Sequence, residues 1–64
     1  MPTIKALREA AQLTQKELAV ILGVSPLAVQ SWEQSKHPPA ESNRILICEF
    51  FDVKPTEVDW PGED

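Results

Sequence analysis

Residues 14–33 read TQKELAVILGVSPLAVQSWE, and their order of caps, small residues and apolar positions decides how the chain folds. Thr14 opens a helix: its hydroxyl can accept the backbone N–H of Glu17, whose carboxylate can reach back to the N–H of Thr14, a T-x-x-E capping box. Leu18, Ala19 and Leu22 then form an apolar stripe at helical spacing. Gly23 ends the helix, because the left-handed conformation needed just past the last turn costs glycine almost nothing. Val24 fills the corner. Ser25 caps a second helix, and Pro26 takes its first position, where a missing N–H loses no hydrogen bond. Val29 and Trp32 face inward one turn apart.

Ala19 is the most informative of these. Two helices that cross steeply after a turn of about three residues leave no room for a large side chain at the crossing. A small residue, a glycine four positions on, and an inward Val and Trp meet the needs of a helix-turn-helix. A general helical hairpin would use a longer loop and larger contact residues.

The flanking segments are read outward from that motif. Thr3 to Gln12 forms a first helix, with Ile4, Leu7 and Ala11 on one face. Past Glu33, the loop Gln34-Ser35-Lys36-His37-Pro38-Pro39 cannot continue the helix through its prolines. Ala40 to Phe51 is a fourth helix, with Ile45, Cys48 and either Phe51 or Ile47 on its core face. Asp52-Val53-Lys54 breaks it, and Pro55 opens a last short helical turn with Val58 facing in. The expectation is an all-α, compact five-helix domain over residues 1–60, followed by a frayed acidic tail over 61–64.

Composition narrows the function classes. The 64 residues allow one small domain, and 42% apolar content is ordinary for a globular one. No apolar run reaches membrane-spanning length and the N-terminus lacks a signal-peptide layout, so a soluble, cytoplasmic protein is expected. Cys48 is the sole cysteine, which leaves no internal disulfide and no cysteine metal site. The carboxylates at Glu41, Glu49, Asp52, Glu57 and Asp59 lack the histidines and spacing of a metal site. No cofactor, small-molecule ligand or enzymatic activity is expected.

The run LTQKELAVILGVSPLAVQSWEQ (13–34), followed by a loop, prolines, a helix and the PTEV turn (55–58), resembles the phage repressor and Cro-like helix-turn-helix family of XRE-type transcriptional regulators. The likeness covers Ile4 to Val58. It implies a lambda repressor-like domain that binds operator DNA, usually as a homodimer on a palindrome. It also implies a salt bridge between Arg8 and Glu33, tying the first helix to the recognition helix. Ser35 and Asp52 depart from the family pattern, standing where glycines are common.

An α-helix fits the major groove, so the second motif helix, residues 25–35, presents its outward N-terminal face to base edges. The outward positions are Pro26, Leu27, Gln30 and Ser31. Gln30 can pair bidentately with adenine, Ser31 can donate or accept, and Leu27 can touch a thymine methyl. Phosphate contacts are expected from Thr14, Gln15, Lys16, Ser25, Lys36 and His37. Gln15 opens a helix whose free N–H groups and dipole favour an anion, and the resemblance implies the same for a Thr-Gln pair there. Trp32 could stack on bases, but its helical phase puts it beneath the motif, in the core.

The net charge of −4 opposes DNA binding, and its distribution softens the objection. Residues 1–40 hold four Lys/Arg against three Asp/Glu, whereas residues 41–64 hold two against seven. Non-specific affinity, which comes from neutralised phosphates, is expected to be low. Phe50, Val53, Val58 and Trp60 are candidates for a homodimer interface, the alternative being Trp60 folded over its own core. Two functions stand: a sequence-specific regulator of phage, prophage or small bacterial type, and a protein-interaction module, antitoxin-like or acidic-surfaced, on the same fold.

Overall fold

A computed structural model describes residues 1–62; the expected fraying at Glu63 and Asp64 lies outside the described residues. The elements are α1 (Ile4–Ala10), α2 (Gln15–Leu22), α3 (Pro26–Glu33), α4 (Glu41–Phe51) and a 3₁₀ turn over Pro55–Glu57. Among the described residues the domain is all-α, with four α-helices and this one turn where a fifth helix was expected. The turn stops after three residues because Val58 goes extended, at φ −117° and ψ 137°, to bury its side chain.

Each helix of the motif starts where a side chain can satisfy the orphan N–H groups of its first turn. Thr14 Oγ1 accepts the Glu17 N–H at 3.0 Å, and Glu17 Oε1 accepts the Thr14 N–H at 2.8 Å. Ser25 Oγ accepts the Ala28 N–H at 3.1 Å. Thr3 Oγ1 does the same for Ala6 at 3.1 Å, so α1 begins at Ile4. Ala40 flanks α4 without a side-chain cap.

All four α-helices end in one motif. A left-handed residue follows the last turn, and the next residue's N–H returns to the carbonyl five positions back, as in a Schellman cap. The left-handed residues are Gln12 (φ 59°), Gly23 (φ 72°), Ser35 (φ 58°) and Asp52 (φ 56°). The returning N–H groups are Leu13 to Arg8, Val24 to Ala19, Lys36 to Ser31 and Val53 to Cys48, each within 3.1 Å. Leu13, Val24 and Val53 also pack on the core, the apolar contact that accompanies this cap. Ser35 and Asp52, the two departures from the family's glycines, therefore keep the glycine-like backbone and bear its steric cost. Gln12 ends α1 early, which leaves Ala11 exposed as a cap residue and not on the buried face.

Ile4, Leu18, Ala19, Leu22, Val29, Trp32, Ile47, Cys48, Val58 and Trp60 form the core. Ala19 is fully buried between α2 and α3, the crossing at which a larger side chain would not fit. Ile45 is half exposed, contrary to its expected place on the core face of α4. Ile47 is fully buried, and at about 100° per residue Ile45 lies about 200° from it around the helix. Both cannot face in.

Trp60 closes the fold. It is buried, its Nε1 donates to the Pro55 carbonyl at 2.8 Å, and the Arg44 guanidinium lies 5.2 Å from its ring centroid. Beside it, the Asp59 N–H donates to the Pro2 carbonyl at 2.8 Å, tying the two ends of the domain together. Pro61 and Gly62 form a turn, with Gly62 set close to the Pro38 ring. Val58 and Trp60, expected at a dimer interface, are thus spent on the chain's own core.

Candidate nucleic-acid interface

The phase of α3 is set by Val29 and Trp32, which are buried, and this turns the opposite side of the helix to solvent. Pro26, Leu27 and Gln30 are exposed there, and Ser31 is half-buried at the edge. Leu27 is 67% exposed, a large apolar group held in water by the rigid packing beneath it. A helix that leaves Leu, Gln and Ser on its outer face offers a methyl-sized apolar contact and two hydrogen-bonding groups of the kinds that read base edges.

The two cap hydroxyls keep chemistry in reserve. Thr14 Oγ1 and Ser25 Oγ accept backbone N–H groups, and a hydroxyl that accepts one bond still has its own O–H to donate. Both residues are exposed, so that O–H can meet a phosphate oxygen. Lys16, Lys36 and His37 are also exposed, Lys36 and His37 in the loop directly after α3. Arg44, by contrast, faces Trp60 and donates from Nε to the Pro39 carbonyl at 3.2 Å, away from the motif's outer face.

Behind this surface, a single carboxylate joins three helices. Arg8 of α1 donates from Nε to Glu33 Oε2 at 2.6 Å and from its second terminal nitrogen to Glu33 Oε1 at 3.0 Å, a two-pronged pair. Arg8 Nη1 also donates to the Leu13 carbonyl at 2.7 Å, so the guanidinium braces the α1–α2 link as well. Gln15 Nε2, at the start of α2, donates to Glu33 Oε1 at 3.0 Å. Burial opposes ionisation of the Glu33 carboxyl, but the hydrogen bonds from Arg8 and Gln15 and the charges of Arg8 and Lys5 outweigh it and hold the carboxyl below its ordinary value. The hydrogen bond to Glu33 likewise raises the Arg8 guanidinium against the effect of burial. The Gln15 amide was expected on a phosphate. Here one of its two N–H groups goes to Glu33, and the half-buried residue keeps the other to donate.

Cys48 is buried, and burial pushes its thiol up, away from the thiolate a nucleophile needs. Among the described residues, no three of His, Cys, Asp and Glu gather closely enough to hold a metal ion. None of the described helices is long and apolar enough to cross a membrane.

With this geometry in view, comparison with known proteins gives one decisive match: a family model described as helix-turn-helix covers residues 4–58. The chain belongs to the phage repressor and Cro-like helix-turn-helix family. No curated protein and no solved structure matches it. The matched span takes in α1 through the 3₁₀ turn, so the family assignment covers both the motif and the helices that hold it. It is a DNA-binding helix-turn-helix regulator.

In this helix-turn-helix protein the outer face of α4 carries large apolar side chains. Ile45, Leu46 and Phe50 are 50%, 45% and 45% exposed, enough to mark a face that the domain's own core does not cover. Phe50 stacks edge-on against Phe51 with ring centroids 4.9 Å apart, and Val53 is half-buried just beyond. Of the residues expected at a dimer interface, Phe50 and Val53 retain exposure, whereas Val58 and Trp60 do not. The sequence reading passed over Leu46 and put Ile45 on the core face, because the 3.6-residue period of α4 admits more than one choice of that face.

Proposed function

We propose that this protein is a sequence-specific transcriptional repressor of the phage, prophage or small bacterial type, reading the major groove with α3. The observation that carries the reading is the outward N-terminal face of α3, where Leu27 stands exposed beside Gln30 and Ser31 on a helix held at its base by buried Val29 and Trp32. Gln30 pairs with adenine, Ser31 with either partner type, and Leu27 with a thymine methyl, which gives an operator dominated by A·T contacts. Thr14, Ser25, Lys16, Lys36 and His37 supply the phosphate contacts that set register.

The protein binds as a homodimer on a palindromic operator. The apolar outer face of α4, with Leu46 and Phe50, supplies the two-fold contact that the buried Val58 and Trp60 cannot. The net charge of −4 favours this arrangement, since affinity that does not come from phosphate neutralisation must come from base contacts made twice over.

Selection of bound duplexes from a random-sequence pool at low salt tests the reading, followed by NMR titration of labelled protein with the enriched duplex. Shift changes clustered over Ser25 to Ser31, Thr14 and Lys36 are expected. Enrichment of no sequence, with a flat response across α2 and α3, would move the function to a protein-interaction module that uses the acidic C-terminal half.

A further inference from the structure

Leu46 and Phe50 stand one turn apart on the outer side of α4, both exposed. The pair is self-complementary: two copies crossed antiparallel about a two-fold axis level with Cys48 set Leu46 of each copy on Phe50 of the other. Glu49 is exposed and sits about 60° around the helix from Leu46, on the flank that carries Ile45. An antiparallel two-fold puts that flank of both helices on the same side of the contact, with the two Glu49 positions offset by about 3 Å along the helix axes. α4 has no cation to set against them. Arg44, its one basic residue, packs on the Trp60 ring and donates to the Pro39 carbonyl, on the far side of the helix. Glu41 and Asp52 add exposed acids at the two ends of α4, against Lys54 just past it.

We infer that Glu49 gives the α4 self-contact a salt dependence opposite in sign to that of the DNA contacts: two copies repel at low salt and associate as salt rises. This rests on the homodimer reading above. Like charges about 10 Å apart across a helix pair interact when the screening length is about 10 Å, at about 0.1 M salt, and hardly at all when it is about 3 Å, at about 1 M. Phosphate contacts weaken over the same range. Operator binding needs both steps, so affinity for the operator falls with salt less steeply than the phosphate contacts alone dictate. The charge on Glu49 thus biases the free protein toward monomer and leaves pairing to the operator, whose two half-sites hold the copies side by side.

Sedimentation equilibrium of the wild-type chain, Glu49→Gln and Glu9→Gln, in about 0.1 M and about 1 M sodium chloride, tests this. Glutamine keeps length and helix propensity and removes the charge. Glu9, exposed on α1, makes the same change in net charge away from α4. Circular dichroism melts check folding. The dissociation constant of the wild-type dimer should fall about tenfold between the two salts. At the lower salt Glu49→Gln should dimerise about fivefold more tightly than wild type and respond less to salt, while Glu9→Gln follows wild type. On the duplex enriched by the wild-type protein, Glu49→Gln should steepen the fall of affinity with salt. A dimer that ignores salt or loosens with it, a Glu49→Gln dimer no tighter than that of Glu9→Gln, or an unchanged slope on the duplex would overturn the inference and leave the homodimer standing. If no variant dimerises at either salt, with or without the duplex, the homodimer reading fails and the inference with it.

Discussion

Glu33→Gln is the sharpest probe of how this small domain holds its recognition helix. The substitution preserves shape and one acceptor but removes the charge opposite Arg8, whose side chain is only 12% exposed. Stripping one partner from a largely buried pair costs about 3 kcal/mol, because the remaining charge is left uncompensated. Arg8 keeps its bond to the Leu13 carbonyl, so the lower end of the usual range applies. A domain of 64 residues has roughly 3–10 kcal/mol of stability in all. At about 4–8 °C per kcal/mol for a domain this size, the melting temperature should fall by roughly 12–24 °C. Circular dichroism melts at pH 7 measure this directly. The pH dependence has a definite sign. The Glu33 carboxyl is depressed below its ordinary 4.5, so its stabilisation is fully present above that value and is lost as pH falls through the folded-state value. Wild type and variant should therefore converge in stability as the solution is acidified below 4.5. The double variant Arg8→Met with Glu33→Met should recover most of the loss, since neither charge is then left alone. A melting temperature within about 4 °C of wild type at pH 7 would refute the assignment of Glu33 as the tie between helices.

Other outcomes follow from the same geometry. Gln12→Gly, Ser35→Gly and Asp52→Gly should each stabilise the domain by about 0.5–1 kcal/mol in urea melts, the relief of a left-handed side chain less the entropy glycine adds to the unfolded chain. Gly23→Ala should cost about 1 kcal/mol although a Cβ there meets nothing within 4 Å, because the penalty lies in φ and not in space. On the enriched duplex, Gln30→Ala should cost about 1–3 kcal/mol and relax the sequence preference, whereas Lys36→Ala should weaken all duplexes alike and lower the salt slope by about one. Equal loss on every sequence for Gln30→Ala, or an unchanged slope for Lys36→Ala, would remove that residue from its role. Leu46→Glu with Phe50→Glu should leave the helices intact and give a monomer in sedimentation equilibrium; a persistent dimer would place the two-fold contact elsewhere.

The sequence by itself determined the local events. Thr14 with Glu17, Gly23, Ser25 and Pro26 act within a turn of their own position, so the boundaries of α2 and the start of α3 were legible from residue chemistry alone. Ala19, Val29 and Trp32 were legible too, since a tight turn leaves one way to pack two short helices. The outward face of α3 followed from that phase.

Tertiary structure decided the rest, where chemistry between distant residues outweighs local preference. Gln12, Ser35 and Asp52 adopt a backbone that disfavours them because Leu13 and Val53 gain burial and the cap hydrogen bonds close. Trp60 could have served a partner, and the Pro55 carbonyl with the Arg44 guanidinium drew it inward. Gln15 has a helix end to offer an anion, and one of its N–H groups meets an anion already in the fold, Glu33, 18 residues away. Spacing in a sequence shows which groups can meet along one helix. Which distant group a side chain meets depends on the crossing of helices, and that is settled only when the whole core packs.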